Sequence, residues 1–271
     1  ITLDSGVVSN SNPIKYFLGA NLNNPIFTDT TQLNVILQNK GILFSSTAPC
    51  YVSYRCNAYD SSQSLQATIV SLKGNIALGK NFRIGGIKNL IGGIYRSSFF
   101  SMTATEDSTV ISIDNISPSV VFEGSNPLSG SNSTILLNYG ESVVYSLYTN
   151  SAANEDGILG INVQSNKDIA LLNGFFLGNI GTSLNSQDIG IDQPVPTSEL
   201  GNKYILIKGD GSNQYEQVIL VAHENQTQIF VNGSNTLDTT LNDGEYYLID
   251  GSRFSTNGNL LIESNKTFYC Y

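Results

Sequence analysis

The sequence predicts an all-β protein: repeated antiparallel β-sandwich-like units packed into one rigid body, with an elongated jelly-roll or barrel assembly as the alternative. Three observations carry this prediction. Helical periodicity is nearly absent, and short runs alternate apolar and polar residues, as in Val143–Tyr148, Tyr204–Lys208 and Tyr246–Asp250. Turn signals are dense, among them Lys73-Gly74, Gly92-Gly93, Asp210-Gly211, Asn232-Gly233 and Asp250-Gly251. Finally, the chain echoes itself. The segment Met102–Ile113 returns as Leu220–Val231, Leu137–Glu141 returns as Leu241–Glu245, and Ile161–Lys167 returns as Leu260–Lys266. Three phrases in one order imply repeated units of roughly 100 residues.

Taken in order along the chain, residues 1–95 read as a degenerate first repeat plus an insertion. Its weak signal is the run Ile42–Ser53, in which Ser46 matches Ser165 and Ser264. Cys50–Arg55 reads as a strand, and Ser61–Gly86 falls outside the repeat. Residues 96–180 form the second repeat. Its Glu106-Asp107 phrase is a turn between two hairpin strands, because short polar side chains bond their own backbone there. Asn138-Tyr139-Gly140-Glu141 makes a second turn and Ser165-Asn166-Lys167 a third. Residues 181–200 read as a long loop or linker, of the kind that in a compact chain serves a function or stays unstructured. Residues 201–271 repeat the scheme, with Asn232-Gly233 suited to a tight turn in which both residues take positive φ. A residue shared by both copies is expected to serve the fold.

Composition narrows the function. The chain has 271 residues, 40% of them hydrophobic, which is enough for a substantial core. Only 13% are charged, against about a quarter in an average domain, so the surface consists largely of neutral polar side chains, the habit of secreted and cell-surface β proteins. A net charge of -9 with no basic cluster disfavours nucleic acid and anionic membrane surfaces. No apolar run approaches the ~18 residues of a membrane-spanning helix, so no membrane insertion is expected. The chain begins at Ile1 rather than Met, which suggests a mature or trimmed fragment. Of the three cysteines, Cys50 and Cys56 lie six apart and share a face of an extended segment, so they cannot bridge each other. Either one pairs with Cys270 if the chain ends meet, or all three are free buried thiols; the odd count favours the second.

Catalytic chemistry finds little support. The one histidine, His223, replaces Thr105 of the earlier repeat and has no second His with which to share a metal. The pairs Glu106-Asp107 and Glu155-Asp156 are carboxylate neighbours of the type glycosidases use, but adjacent strand residues face opposite ways. No enzyme activity is expected. Calcium is the better candidate cofactor. Asp188 and Asp192 stand four apart around Gly190 in the non-repeated loop, with Asn154, Glu155 and Asp156 as a second oxygen-rich set. Sugar recognition needs an aromatic face beside amide or carboxylate hydrogen bonders, and Tyr59, Tyr139 and Tyr215 are the tyrosines placed for it.

The phrases Lys73–Gly85, Ala104–Asp107, Leu137–Glu141, Asp188–Gln193, Val221–Asn225 and Asn242–Tyr247 together resemble the N-terminal region of very large cell-surface proteins of gliding, flavobacterial-type bacteria, the SprB-type adhesins. They are distantly similar to the IgGFc-binding-protein N-terminal domain of mucin-like animal proteins. The resemblance spans about Asn34 to Tyr271. It implies an extracellular, cell-surface adhesin domain that binds polysaccharide or a solid surface and sits beside other domains of one giant protein. It supplies no catalytic or binding residues. The alternatives are a structural spacer or protein-docking module and, third, an extracellular glycan hydrolase.

Overall fold

The structure, a computed structural model, describes residues 4–19, 26, 28–38, 40–59, 65–125, 127–128, 132–180 and 187–271. Its regular structure is almost all antiparallel strand, as expected; the one α-helix among the described residues, α1 (Ala152–Glu155), is a single turn. No described helix is long and apolar enough to cross a membrane.

Two sandwich units account for most of the chain. The first comprises β3 (Leu78–Arg83), β4 (Gly93–Ala104), β5 (Thr109–Asp114), β6 (Asn132–Leu137), β7 (Ser142–Thr149) and β8 (Asn162–Gly178), preceded by the hairpin β1 (Val52–Tyr59) and β2 (Leu65–Leu72). The strand β9 (Asp188–Asp192) follows and extends the sheet alongside β8. The second unit comprises β10 (Lys203–Ile207), β11 (Val218–Ala222), β12 (Thr227–Val231), β13 (Thr239–Leu241), β14 (Tyr246–Ile249), β15 (Asn259–Ser264) and β16 (Phe268–Cys270).

The pairing repeats strand for strand. One sheet of the second unit runs β10-β15-β12-β13 and the other β14-β11-β16. The first unit pairs the same way: β3 and β5 flank the first part of β8, β6 follows β5, and β4 joins β7 to the second part of β8. Register confirms the match. Ile111 faces Ser165 and Ala104 faces Ile169, while Ile229 faces Ser264 and Ala222 faces Phe268. In the first unit the long strand β8 joins the two halves into one seven-stranded sheet, whereas in the second the chain breaks between β15 and β16 and the halves are separate sheets.

Inward positions fill a separate core in each unit. Phe82, Phe100, Met102, Ile111 and Leu137 belong to the first, and Leu220, Ile229, Leu260 and Phe268 to the second. The turn phrases lock each sandwich in the same manner. Asn166 accepts from the Val110 amide and donates to Ser108 O, and Asn265 does the same for Gln228 and Gln226. Lys167 donates to Asp107 O, and Lys266 to Asn225 O. Ser108 and Gln226 hold φ of 56° and 61°. The recurrent residues are therefore turn chemistry.

The first 95 residues depart from the expectation of a degenerate repeat. Residues 42–49 contain no strand, β1 and β2 form an isolated two-stranded sheet, and β3 is the opening strand of the first full unit. A single matched serine was too little signal to specify a sandwich. The segment 181–200 is also more than a linker, since it contains β9.

The two units meet through a small mixed core. The outer face of the second unit's three-stranded sheet presents Ile219, Val221 and Tyr269, which pack with Leu159 of the first unit, Tyr246 and Tyr271. Tyr246 donates to Asp156 Oδ2 at 2.6 Å and Tyr269 to Val195 O at 2.7 Å. Gly160 and Gly244 abut so closely that a Cβ on Gly160 would lie 1.9 Å from Gly244 O. Arg83 of β3, buried at 6% exposure, ion-pairs with Asp243 and donates to Gly160 O at 3.1 Å.

Candidate binding site

The strand β9 is the element on which the site depends. It runs along the second part of β8 and carries Asp188 at one end and Asp192 at the other. At the Asp192 end, Lys73 Nζ sits 3.0 Å from the carboxylate and donates to Gln193 O at 2.6 Å. At the Asp188 end, Oδ1 accepts from the Ala67 amide at 3.1 Å and from the Ile189 amide at 2.8 Å. Both carboxylates therefore tie the β1–β2 hairpin to the edge of the sheet. Among the described residues, no group of three or more His, Cys, Asp or Glu side chains converges as a metal site would require.

The second oxygen-rich set is likewise engaged in hydrogen bonds. Asn154 is 1% exposed; its amide donates to Val121 O and Tyr148 O and accepts from the Val121 amide. Glu155 accepts from the Ile91 amide at 3.1 Å and lies 3.8 Å from Lys88 Nζ. Asp156 receives the Tyr246 hydroxyl across the unit boundary. These three residues pin loops together.

Of the three tyrosines, Tyr59 ends β1 opposite Leu65, and its side chain lies outside the described residues. Tyr139 is 60% exposed at the tip of the β6–β7 turn, where its amide donates to Asp107 Oδ1 at 3.0 Å. Tyr215 ends a short 3-10 turn, Asn213–Tyr215, and is exposed. It lines an open cleft of about 270 Å³ with Gly178, Asn179, Ile180, Gln187 and Asp188. The structure thus brings together Tyr215 and Asp188, residues singled out separately in the sequence. Sequence reasoning missed Asn179 and Gln187. Asn179, buried at 5%, accepts from the Leu90 amide through its own carbonyl, and nothing in its local sequence marked it.

A second cleft, of about 200 Å³, lies between the units. Asn81, Arg83, Asn162 and Gln164 form one wall, with His223 and Asp243 opposite. His223 Nε2 is hydrogen-bonded to the Thr267 hydroxyl at 2.7 Å. Burial lowers its pKa, outweighing the opposing pull of Glu224 and Asp243. Its role is to close a turn, as that of Thr105 is in the first unit.

The cysteines are free. Cys50 precedes β1 and is exposed, against the expectation of a buried strand thiol, with its Sγ 3.4 Å from Ser46 Oγ. Cys56 is half-buried, and burial pushes the Cys270 thiol up to about 12.

A family model described as IgGFc binding protein matches residues 67–271, a span that begins in β2 and takes in both sandwich units. No curated protein and no solved structure matches the chain.

Proposed function

The chain belongs to the IgGFc binding protein family, and from that premise we propose that it is a non-enzymatic binding domain displayed outside the cell, holding a polysaccharide or similarly glycosylated surface at the Tyr215 cleft. The observation that carries this reading is the composition of the cleft. The exposed ring of Tyr215 stands beside the Asp188 carboxylate and the Gln187 carboxamide, which also accepts from Arg96 Nε at 3.3 Å; an aromatic ring stacks on a sugar face and such polar groups bond its hydroxyls. The neutral, Asn- and Ser-rich surface suits display at a bacterial cell surface, within a large adhesin of the gliding-motility type. His223 and the Glu106-Asp107 pair take part in turns.

The test is a polysaccharide and glycan screen followed by titration with the Tyr215→Ala variant. Saturable binding weakened about 5-fold or more supports the cleft, since truncating a contact residue that matters costs more than about 1 kcal/mol. Equal binding by the variant removes the cleft from the proposal. A second reading, a protein-docking module, draws on the family's description, which names a protein, the immunoglobulin Fc. Binding to immobilised Fc fragments, with no glycan binding, would favour it.

A further inference from the structure

Each unit of this chain is a control for the other, because side chains at matching ladder positions can be compared. On the outward face of β3 and β8, Asn81 stands opposite Gln164 and Arg83 opposite Asn162. The matching positions of the second unit, on β10 and β15, are Lys203 opposite Glu263 and Ile205 opposite Leu261. There the charged pair satisfies itself, with Lys203 Nζ 2.7 Å from Glu263 Oε1. Both units fold on the same ladder, so the ladder does not require carboxamides. The three carboxamides of the first unit have another reason to stand together.

They form one wall of the cleft of about 200 Å³ between the units. The polar capacity of that wall is only partly used. Asn162, buried at 8% exposure, donates to Asp114 Oδ2 at 3.2 Å and keeps its Oδ1 to accept. Asn81 and Gln164 are exposed, and their side chains make no hydrogen bond among the described residues. The Thr197 hydroxyl at the edge of the cleft is likewise uncommitted among the described residues. On the facing wall His223 uses Nε2 for the Thr267 hydroxyl, which leaves Nδ1.

The ligand class follows from charge and from the kind of group presented. Arg83 and Asp243 are the charged residues of the lining, and they pair with each other. Beside His223, Glu224 lies 3.3 Å from Lys266 Nζ. Burial lowers the pKa of His223, so its ring is uncharged at neutral pH. The lining therefore offers no net charge to an ion, and it contains no aromatic ring on which a base or sugar could stack. What it offers is carboxamides, each of which both donates and accepts, as a hydroxyl does. Neighbours across a ladder stand about 4.5–5.5 Å apart, so several such groups meet one small molecule. The cleft is below the ~300–1,000 Å³ of drug-sized sites, and small-molecule sites favour the boundary between two folded units.

We propose that the cleft between the units binds a single neutral sugar residue, its hydroxyls exchanging hydrogen bonds with Asn81, Asn162 and Gln164 on one wall and with His223 and Thr197 across it. This site shares no lining residue with the Tyr215 cleft and does not rest on it. It holds the sugar by its hydroxyls, without a stacking platform.

The chain carries its own reporter, because His223 is its only histidine. In the untagged protein the Hε1 proton of His223 gives one imidazole signal, which His223→Thr removes. The probes are neutral gluco-, manno- and galacto-oligosaccharides, titrated at neutral pH up to roughly 50 mM, well above the Kd on the order of 1 mM expected from a few neutral hydrogen bonds. At least one probe should move the signal saturably. Asn81→Ala and Gln164→Ala should melt like the wild type and weaken binding roughly 2- to 10-fold each. Asn81→Lys combined with Gln164→Glu places the second unit's ion pair on this wall and should abolish the shift. Tyr215→Ala should leave it unchanged, whatever that variant does at its own cleft. A signal that no probe moves overturns the proposal, as does a shift that survives the double substitution. A shift abolished by Tyr215→Ala assigns the sugar to the other cleft and overturns it as well.

Discussion

His223 and Thr105 occupy equivalent positions and solve one problem with different chemistry. The Thr105 hydroxyl donates to Asp168 O, whereas the His223 ring bonds the hydroxyl of Thr267, the counterpart of Asp168. The histidine adds a dependence on pH. In the folded chain burial holds its pKa below the ordinary 6.5, with Arg83 and Lys266 pushing the same way and Glu224 and Asp243 opposing. The unfolded chain therefore takes up a proton at a higher pH than the folded one. Its stabilising contribution is complete above about pH 6.5 and is lost as pH falls through and below that value. The melting temperature should drop between pH 7.5 and 5.5, and His223→Thr should flatten the drop. Identical slopes for variant and wild type would rule His223 out as the cause. The recurrent Thr109 and Thr227 show the opposite case, the same residue in the same role, each capping its turn by donating to Glu106 O or Glu224 O.

Strand β11 shows how an element is shaped by what covers it. All five residues of Val218–Ala222 are buried, because one face lines the second core and the other faces the first unit. A strand covered on both faces reads as an unbroken apolar run, and this one does. Its counterpart at the end of β4 has half-buried Ser101 and Thr103 on the outer face, so the alternation survives. The hairpin β1–β2 is a weaker element, held to β9 through Lys73–Asp192 and the Asp188 carboxylate. Both ends of that ion pair are more than a third exposed, so its worth is at most about 1 kcal/mol. The ammonium of Lys73 already supplies the positive charge at Asp192. Melts in millimolar calcium and in EDTA should therefore coincide, while Asp192→Asn lowers the melting temperature slightly in both. A calcium-dependent rise lost in the Asp192→Asn variant would restore a metal site at β9.

For the whole molecule, the contact between units carries the most concentrated risk. Gly160 holds φ 81° and leaves no room for a Cβ against Gly244 O, so Gly160→Ala meets both backbone strain and a backbone clash. It should cost well over the ~1 kcal/mol of a glycine in a left-handed turn, and lower the melting temperature by several degrees. Gly140→Ala, with φ 76° and open space, carries the strain alone. Calorimetry of both variants separates the two causes; equal losses would show that packing at the unit boundary contributes nothing.

How much of this was legible follows from the range of each interaction. The repeat, the strands and the turn phrases depend on neighbours close in sequence, so Leu220–Val231 and Met102–Ile113 announce the same hairpin whatever surrounds them. The failure at residues 42–49 has the same cause in reverse, since one matched serine specifies no pairing. Asp188 was visible as a carboxylate in an unusual loop, and Tyr215 as an exposed aromatic. That they share a cleft with Asn179 and Gln187 depends on β9 joining β8, a pairing no local pattern encodes. By itself the sequence determined an all-β chain of repeated units with polar, turn-locked surfaces, because alternation and turn chemistry are properties of short segments. Only the tertiary structure decided that the chain folds into two units, and that the Asp243-Gly244 turn of the second meets Arg83 and Gly160 of the first. Those outcomes rest on contacts between segments tens of residues apart, where side-chain volume and the placement of a glycine decide what can meet.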